Sequence, residues 1–235
     1  MTHLIYLEDS YVKEFTARVV GHDTEQNGVL LDSTAFYPGG GGQPNDVGKL
    51  IAGDTEYVVS KVKYGNIHII DGDLPPIDNE VTGVVDWERR HKLMRTHTAM
   101  HILCGVVWRD YQASVTGGNM DVLSGRMDFE FEKLDQDLLQ EIETKINVEI
   151  AESRPIKVQS LPREEAFQIP DLIRTKVNLL PEGITKIRTI ELVGLDLQAD
   201  GGTHVANTSE VGSIKLTKYK NKGGINKRLY VEITD

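Results

Sequence analysis

The sequence predicts an α+β fold, with a small N-terminal β-barrel in residues 1–86 and an α/β domain in residues 87–235 whose helices pack on an antiparallel sheet. Short β-branched runs separated by Gly, Asp, Asn and Pro fill the first part of the chain. A stretch without Gly or Pro follows from Asp86 to Leu103, where apolar residues recur at helical spacing. A composition of 39% hydrophobic and 26% charged residues is ordinary for a globular protein.

The barrel strands are predicted in three segments. Residues 28–38 read GVLLDSTAFYP, residues 56–72 read EYVVSKVKYGNIHIIDG, and residues 80–87 read EVTGVVDW. The DLPPIDNE sequence between the last two has the Pro, Asp and Asn residues of turns. Several short strands at such close spacing are typical of a small barrel or sandwich, and we predict the barrel.

The second domain is predicted to begin with a helix for which Asp86 is the expected N-cap. One face of this helix carries the residues that recur every three or four positions, which are Leu93, Met94, His97, Met100, His101 and Cys104. The elements predicted after it are a strand in 125–132, a helix in 135–153, a strand in 155–162, a short helix in 162–169, one or two strands in 184–198, and a hairpin in 212–233.

Composition and charge limit the partners of the chain. The formal net charge of −10 argues against a protein that coats nucleic acid nonspecifically, but it is compatible with one that holds nucleic acid on a local basic face. The sequence lacks an apolar run of roughly 18 residues and the pattern of a signal peptide. The single cysteine, Cys104, excludes an internal disulfide and fits a reducing cytosol. We therefore expect a cytoplasmic protein without a membrane partner.

Two histidines on the predicted helix have the spacing of a metal site. His97 and His101 are four residues apart, so their side chains lie on one helix face, about 5–6 Å apart at Cβ. Two imidazoles so placed can share one metal ion. Thr98 stands where the zinc-protease motif has Glu, so this helix supplies no glutamate base. The pair alone is equally consistent with packed or capping histidines.

A loop farther along the chain extends the candidate ligand set. In the sequence DGGTH, Asp200 and His204 are also four residues apart, but across two glycines that disfavour a helix. A tight turn would aim both side chains at one point. With the helix pair they form a complete set of zinc ligands. The alternative for Asp200 is a carboxylate that caps the turn.

These segments together resemble a known family. RTHTAMH at residues 95–101 and DGGTHVANTSEVG at residues 200–212 are similar to the editing domain of alanyl-tRNA synthetase and to the freestanding AlaX-type alanyl-tRNA editing proteins. The editing domain of threonyl-tRNA synthetase is a more distant match. STAFYPGGGGQPNDVG at residues 33–48 resembles the glycine-rich segment of the larger AlaX proteins. DWERRHKLMRTHTAMH and LPREEA match as well, and the resemblance runs from about Leu31 to the C-terminus.

The resemblance implies a zinc-dependent deacylase. Its substrate would be tRNA(Ala) mischarged with serine, with glycine next, and the ester at the tRNA 3′ end would be hydrolysed. Much of the family has cysteine at the position of Asp200. Asp200 is therefore either a harder and weaker fourth ligand, or absent from a three-histidine site that keeps an open position for water. A three-histidine site with an open position would favour a catalytic zinc over a purely structural one.

Several residues are predicted to contact the aminoacyl end. The candidates for a bond to the serine hydroxyl are Thr98, Thr116 and Thr203, of which Thr116 most resembles the family's substrate-sensing threonine. Each hydroxyl could instead bond its own backbone. Gly41, Gly42 and Gln43 belong to PGGGGQP, which is either a flexible loop or a backbone that passes close to the ligand. We predict the close approach, with this loop facing the zinc site.

Two basic stretches are predicted to meet the tRNA backbone, with a solvated hairpin as the alternative for the second. The first includes Arg89, Arg90, Lys92 and Arg95, and the second includes Lys215, Lys218, Lys220, Lys222, Lys227 and Arg228. The chain has no room for an aminoacylation region, so we expect it to act in trans on charged tRNA. The rival hypotheses are a tRNA-binding module with a structural zinc and a zinc hydrolase of small esters.

Overall fold

The computed structural model describes residues 2–173 and 183–235. The chain divides into two compact units, Met1–His91 and Lys92–Asp235. The predicted combination of a barrel with sheets packed by helices is confirmed. No helix within the described ranges is both long enough and apolar enough to cross a membrane.

Six antiparallel strands of the first unit close into a barrel with the order β2-β3-β7-β6-β5-β8. These strands are β2 (Glu14–Asp23), β3 (Gly28–Leu31), β5 (Gly48–Ala52), β6 (Thr55–Lys63), β7 (Ile67–Asp71) and β8 (Glu80–Val85). Beside the barrel, the short strands β1 (His3–Leu4) and β4 (Ser33–Thr34) pair in parallel, and α1 (Ile5–Glu8) follows β1. Because the sheet closes on itself, each barrel strand pairs on both sides.

The barrel core follows from the alternation within its strands. Along β2, Phe15, Ala17 and Val19 point inward and are at most 8% exposed, while the residues between them face outward. Gly83 on β8 leaves room for the Phe15 ring, since a Cβ at position 83 would come within 2.3 Å of it. Burial of these apolar side chains is the main contribution to the stability of the barrel.

The second unit contains two antiparallel sheets, with strand orders β14-β15-β10-β9 and β11-β12-β13. Its strands are β9 (Val115–Asp121), β10 (Ser124–Glu130), β11 (Ile156–Pro162), β12 (Lys186–Leu192), β13 (Asp196–Ala199), β14 (Ser213–Asn221) and β15 (Asn226–Thr234). Besides most of the long helix α2 (Trp87–Tyr111), this unit contains the helices α3 (Gln136–Ala151) and α4 (Arg163–Ala166) and a 3-10 turn at Thr208–Val211. The side chain of Asn147 on α3 bonds both the N–H and the carbonyl of Ile214, which satisfies part of the edge strand β14.

The long helix α2 (Trp87–Tyr111) begins in the first unit and continues into the second. Asp86 caps it as predicted, because its carboxylate accepts the backbone N–H of Arg89 at 3.1 Å. The helix continues beyond the predicted stretch through Gly105. A Cβ at that position would lie 2.9 Å from the Cβ of Asp196, so glycine allows β13 to approach α2 closely.

Candidate metal centre

Two buried histidines share one face of α2. His97 and His101 are 3% and 6% exposed, and their ring centroids lie 5.1 Å apart. The helix places them together because side chains four residues apart project from the same side. This face therefore presents two imidazoles to whatever packs against it.

The loop after β13 brings Asp200 and His204 to the helix histidines. The Asp200 carboxylate accepts the backbone N–H of Gly202 at 2.6 Å, which makes the turn tight. The His204 ring then stacks on the His97 ring, with centroids 4.2 Å apart. The turn thus aims a carboxylate and an imidazole at the same helix face.

Arg188 on β12 fixes this loop. Its Nη1 donates to the carbonyl oxygen of Asp200 at 3.1 Å and to that of Gly202 at 2.8 Å. Its own carbonyl accepts the Asp200 N–H at 3.1 Å. No motif in the sequence marks Arg188, and only the pairing of β12 with β13 brings it beside the loop.

The four side chains form one cluster whose ligand atoms all lie within 4.8 Å of one another. The Asp200 carboxylate lies between two imidazoles, with Oδ2 3.5 Å from His97 Nε2 and Oδ1 3.3 Å from His204 Nε2. Two ligands of a tetrahedral zinc ion, each about 2.0–2.1 Å from the metal, are about 3.3–3.4 Å apart. The observed separations are close to this value, so the group could hold a metal ion.

The protonation states of the cluster also suit metal binding. Burial lowers the pKa of His97 to about 4, and burial likewise holds the pKa of His204 well below its usual range. Burial alone would raise the pKa of the Asp200 carboxyl, but the three histidines together hold that pKa well below its usual value. At neutral pH, His97 and His204 are therefore neutral and Asp200 is ionised, which are the forms that ligate metals.

One nitrogen of the cluster has no hydrogen-bond partner in the part of the chain that the structure describes. Among the described residues, His101 Nδ1 is the single buried side-chain nitrogen or oxygen without a hydrogen bond. An unsatisfied buried polar atom costs about 1–3 kcal/mol, and a metal ion is a partner for such a lone pair. The orphaned nitrogen, the ligand separations and the protonation states all fit a divalent metal.

Two of the histidines have a second contact that holds the ring. The His97 ring hydrogen-bonds to the backbone of Thr203, and His204 Nδ1 lies 3.2 Å from Thr98 Oγ1. Contacts of this kind orient ligating imidazoles. Thr98 and Thr203 are 0% exposed, which disfavours the predicted contact of either side chain with a substrate hydroxyl. The Thr98 hydroxyl and the Thr203 backbone each contact a histidine of the cluster, and the sequence alone did not reveal these pairings.

Thr116 lies on β9 and is only half-buried. Its hydroxyl donates to Asn226 Oδ1 on β15 at 2.8 Å. Its contact with an aminoacyl group stays a prediction. Asn226, which sequence reasoning did not single out, is fixed beside it by the pairing of β15, β10 and β9.

The glycine-rich segment forms a tight turn in the first unit. Gly40 and Gln43 exchange two backbone hydrogen bonds of 3.0 and 2.9 Å. Between them, Gly41 and Gly42 have φ values of +57° and +92°, which favour glycine in a two-residue turn. Turn geometry therefore explains these residues better than a flexible loop does. Gln43 is 3% exposed, and contact of this turn with the aminoacyl end stays a prediction.

The burial of Arg90 contradicts the prediction that its side chain contacts the tRNA backbone. Its side chain is completely buried, pairs with Asp46, and donates to the carbonyl oxygens of Ser10 and Ala35. A guanidinium satisfied in this way cannot reach a phosphate. The basic run in the sequence did not reveal this burial because the partners of Arg90 come from distant positions.

The basic hairpin keeps part of its charge accessible. The exposed members are Lys215, Lys218, Lys220 and Lys222. Lys227 is 7% exposed and donates to the Gly224 carbonyl at 2.7 Å, while both guanidinium contacts of Arg228 with Asp128 are 2.7 Å. The charges of these two residues are thus engaged within the sheet, and their contact with phosphate stays a prediction. Arg89 and Lys92, in the first basic stretch, are half-buried.

Known protein families match segments in both units of the chain. Residues 187–230 match the family model described as the second additional domain of threonyl and alanyl tRNA synthetase, and residues 7–89 match that of class II (A) tRNA synthetases. The chain is 42% identical over 240 residues to the alanyl-tRNA editing protein AlaX-M of Saccharolobus solfataricus, with 99% of each chain covered. The chain belongs to the AlaX-M family.

Other relatives extend the comparison. The AlaX-M protein of Methanosarcina acetivorans is 35% identical, with 100% of both chains covered. The alanine–tRNA ligase of Ignicoccus hospitalis is 39% identical over 224 residues, which cover 92% of this chain and 24% of the ligase. The similarity to the AlaX-M proteins therefore includes both the barrel and the unit that carries the four candidate metal ligands. The ligase has a similar segment within a longer protein.

Proposed function

We propose that this AlaX-M chain is a zinc-dependent hydrolase that removes serine from mischarged tRNA(Ala), with glycine as a second substrate. The bond cleaved is the ester between the amino acid and the 3′ end of the tRNA, and the reaction is editing in trans. The observation that carries the proposal is the group of His97, His101, Asp200 and His204, which could hold a metal ion. It occurs in a chain similar over its full length to proteins named for alanyl-tRNA editing.

Zinc fits the donor set, because imidazole and carboxylate are both common zinc ligands. When bound, zinc polarises an ester carbonyl and lowers the pKa of a bound water to about 7. The protein's own part is to hold its ligands in place. Burial keeps His97 and His204 neutral, Thr203 and Thr98 orient their rings, and Arg188 fixes the loop that carries Asp200.

The residue next to His97 supports an ester as the substrate. A zinc protease has a glutamate base at this position, whereas Thr98 is buried here and engaged with His204. An aminoacyl ester is more reactive than an amide and needs less help from a base. The absence of a carboxylate at position 98 is therefore acceptable for deacylation and unfavourable for proteolysis.

Discrimination of serine from alanine requires a polar group that pairs with the serine hydroxyl. A site built for that hydroxyl rejects alanine, because its own polar atoms would be left unpaired. We assign this contact to Thr116. Since its hydroxyl proton is donated to Asn226, its oxygen can accept a bond from the serine side chain. Gly41, Gly42 and Gln43 are proposed to contact the same aminoacyl end.

The tRNA backbone is proposed to contact the exposed lysines of the hairpin. Lys218 and Lys220 are two residues apart on β14, so they project from the same face of the strand, and Lys222 follows at its end. Arg89 and Lys92 are the further candidates. Such contacts position a nucleic acid without reading its sequence.

The test is release of serine from seryl-tRNA(Ala), with alanyl-tRNA(Ala) and glycyl-tRNA(Ala) as parallel substrates. We expect serine release far above the spontaneous rate, loss of that release with a chelator, and little release of alanine. Zinc and tRNA binding without serine release would instead support a tRNA-binding module with a structural zinc. Lys220→Glu with Lys222→Glu should raise KM for the tRNA, and an unchanged KM would favour the small-ester hydrolase.

A further inference from the structure

Thr98 on α2 makes two contacts with the loop that carries His204. Its Oγ1 lies 3.2 Å from His204 Nδ1 and accepts the backbone N–H of Val205 at 3.3 Å. All three residues are at most 3% exposed, so water does not compete for these hydrogen bonds. One hydroxyl thus faces both the ring of a metal-site histidine and the backbone that follows it.

The two nitrogens of the His204 ring have different partners. Nε2 faces Asp200 Oδ1 at 3.3 Å within the group of candidate metal ligands, and Nδ1 faces Thr98 Oγ1. A neutral imidazole that gives its Nε2 lone pair to a metal carries its proton on Nδ1. That N–H then needs an acceptor, and Thr98 Oγ1 lies within hydrogen-bond distance of it.

We propose that Thr98 is a positioning residue that sets the tautomer and the orientation of His204 for metal binding. Its oxygen accepts from the His204 Nδ1–H and from the Val205 N–H, so it restrains the ring and the adjoining backbone together. Thr98 acts through His204 and does not touch the substrate. The inference rests on the zinc part of the proposed function and is independent of the tRNA substrate.

A nearby threonine provides a matched control. Thr96 lies on the same helix and is also 0% exposed, but its hydroxyl donates to the carbonyl of Lys92 at 2.9 Å. Thr96 therefore shows the usual behaviour of a buried helical threonine, which bonds its own helix. Replacing either threonine by valine removes one buried hydroxyl at nearly constant shape, but only the change at Thr98 removes the acceptor for His204.

The experiment measures the zinc affinity of full-length variants by competition with a chromogenic chelator. Thr98→Val should weaken zinc binding about 10- to 100-fold, as expected when the partner of a ligating histidine is lost. Thr98→Ser, which keeps the hydroxyl, should restore most of the affinity, and Thr96→Val should bind zinc like the wild type. The visible spectrum of the cobalt(II)-loaded protein should change only in Thr98→Val. Equal zinc affinities for Thr98→Val and Thr96→Val would overturn the inference.

A measurement on the unaltered protein covers the case in which Thr98→Val does not fold. Nitrogen NMR of the zinc-loaded chain should show the His204 proton on Nδ1 and slow exchange of that proton with water. A proton on Nε2, or rapid exchange, would overturn the inference. A wild-type chain that binds no zinc would overturn the inference together with the zinc part of the proposed function. Zinc binding with a protected Nδ1–H but no serine release would overturn the deacylase proposal alone.

Discussion

Asp200 Oδ2 lies 3.5 Å from His97 Nε2, although one residue belongs to a loop and the other to a helix far upstream. The second carboxylate oxygen faces His204 Nε2 at 3.3 Å. The carboxylate therefore lies between two of the three histidines, at the separation of neighbouring ligands on one zinc ion. This placement favours Asp200 as the fourth ligand over a simple turn cap.

Removal of this carboxylate should weaken the metal site. We expect Asp200→Ala to lower zinc affinity by at least about tenfold, because a direct ligand matters at least as much as the partner of a ligand. Asp200→Cys should retain zinc, since thiolate is a softer and stronger zinc ligand. Chelator competition measures both variants. Wild-type zinc affinity in Asp200→Ala would instead support three histidines with an open fourth position.

Loss of the Arg188 side chain should weaken the site through the loop. Arg188→Met removes the donor to the carbonyls of Asp200 and Gly202, so we expect zinc affinity to fall about tenfold. Arg188→Lys keeps the charge but lacks the planar guanidinium geometry. Its zinc affinity should therefore lie between those of the wild type and Arg188→Met. If zinc affinity were the same in all three proteins, the loop would not depend on these hydrogen bonds.

The buried Arg90–Asp46 pair predicts a loss of stability rather than of tRNA binding. Arg90→Met leaves Asp46 as an uncompensated buried charge, so the free energy of unfolding should fall by about 3–5 kcal/mol. The double change of Arg90→Met with Asp46→Leu should recover part of that loss. Urea unfolding of the full chain measures both. Unchanged stability with a raised KM for tRNA would restore Arg90 to the tRNA-binding surface.

The buried His68 predicts acid sensitivity of the barrel. Burial lowers the pKa of His68 to about 4, below the value of about 6.5 expected in the unfolded chain. Between these values the unfolded chain binds a proton that the folded chain does not, so stability present above about pH 6.5 is lost as the pH falls towards 4. The full loss is about 3 kcal/mol. His68→Gln should lose less stability than the wild type between pH 7 and pH 4.5, as measured by urea unfolding, and an equal loss would contradict the prediction.

The local parts of the structure could be predicted from the sequence. The Asp86 cap and the α2 periodicity depend on neighbouring residues, and the spacing of His97 and His101 follows from helix geometry alone. The DGGTH segment also indicated a turn by its own glycines. These features require no knowledge of distant contacts, and the structure contains all of them.

The supporting contacts could not be predicted in the same way. Arg188 reaches the metal loop only because β12 pairs with β13, and Thr98 reaches His204 only because that loop packs on α2. Arg90 looks like an exposed member of a basic run until its buried partner Asp46 is known. In each case the decisive contact joins positions whose proximity depends on tertiary packing, which no periodic pattern encodes.

The most direct test of the metal-dependent deacylase is to titrate zinc into chelator-stripped full-length protein while measuring serine release from seryl-tRNA(Ala). We predict that the stripped protein is inactive, and that activity rises in proportion to added zinc up to one equivalent per chain. His97→Ala, which removes one ligand, should show no such recovery. Full serine release by the zinc-free protein, or no release at one equivalent, would contradict the account.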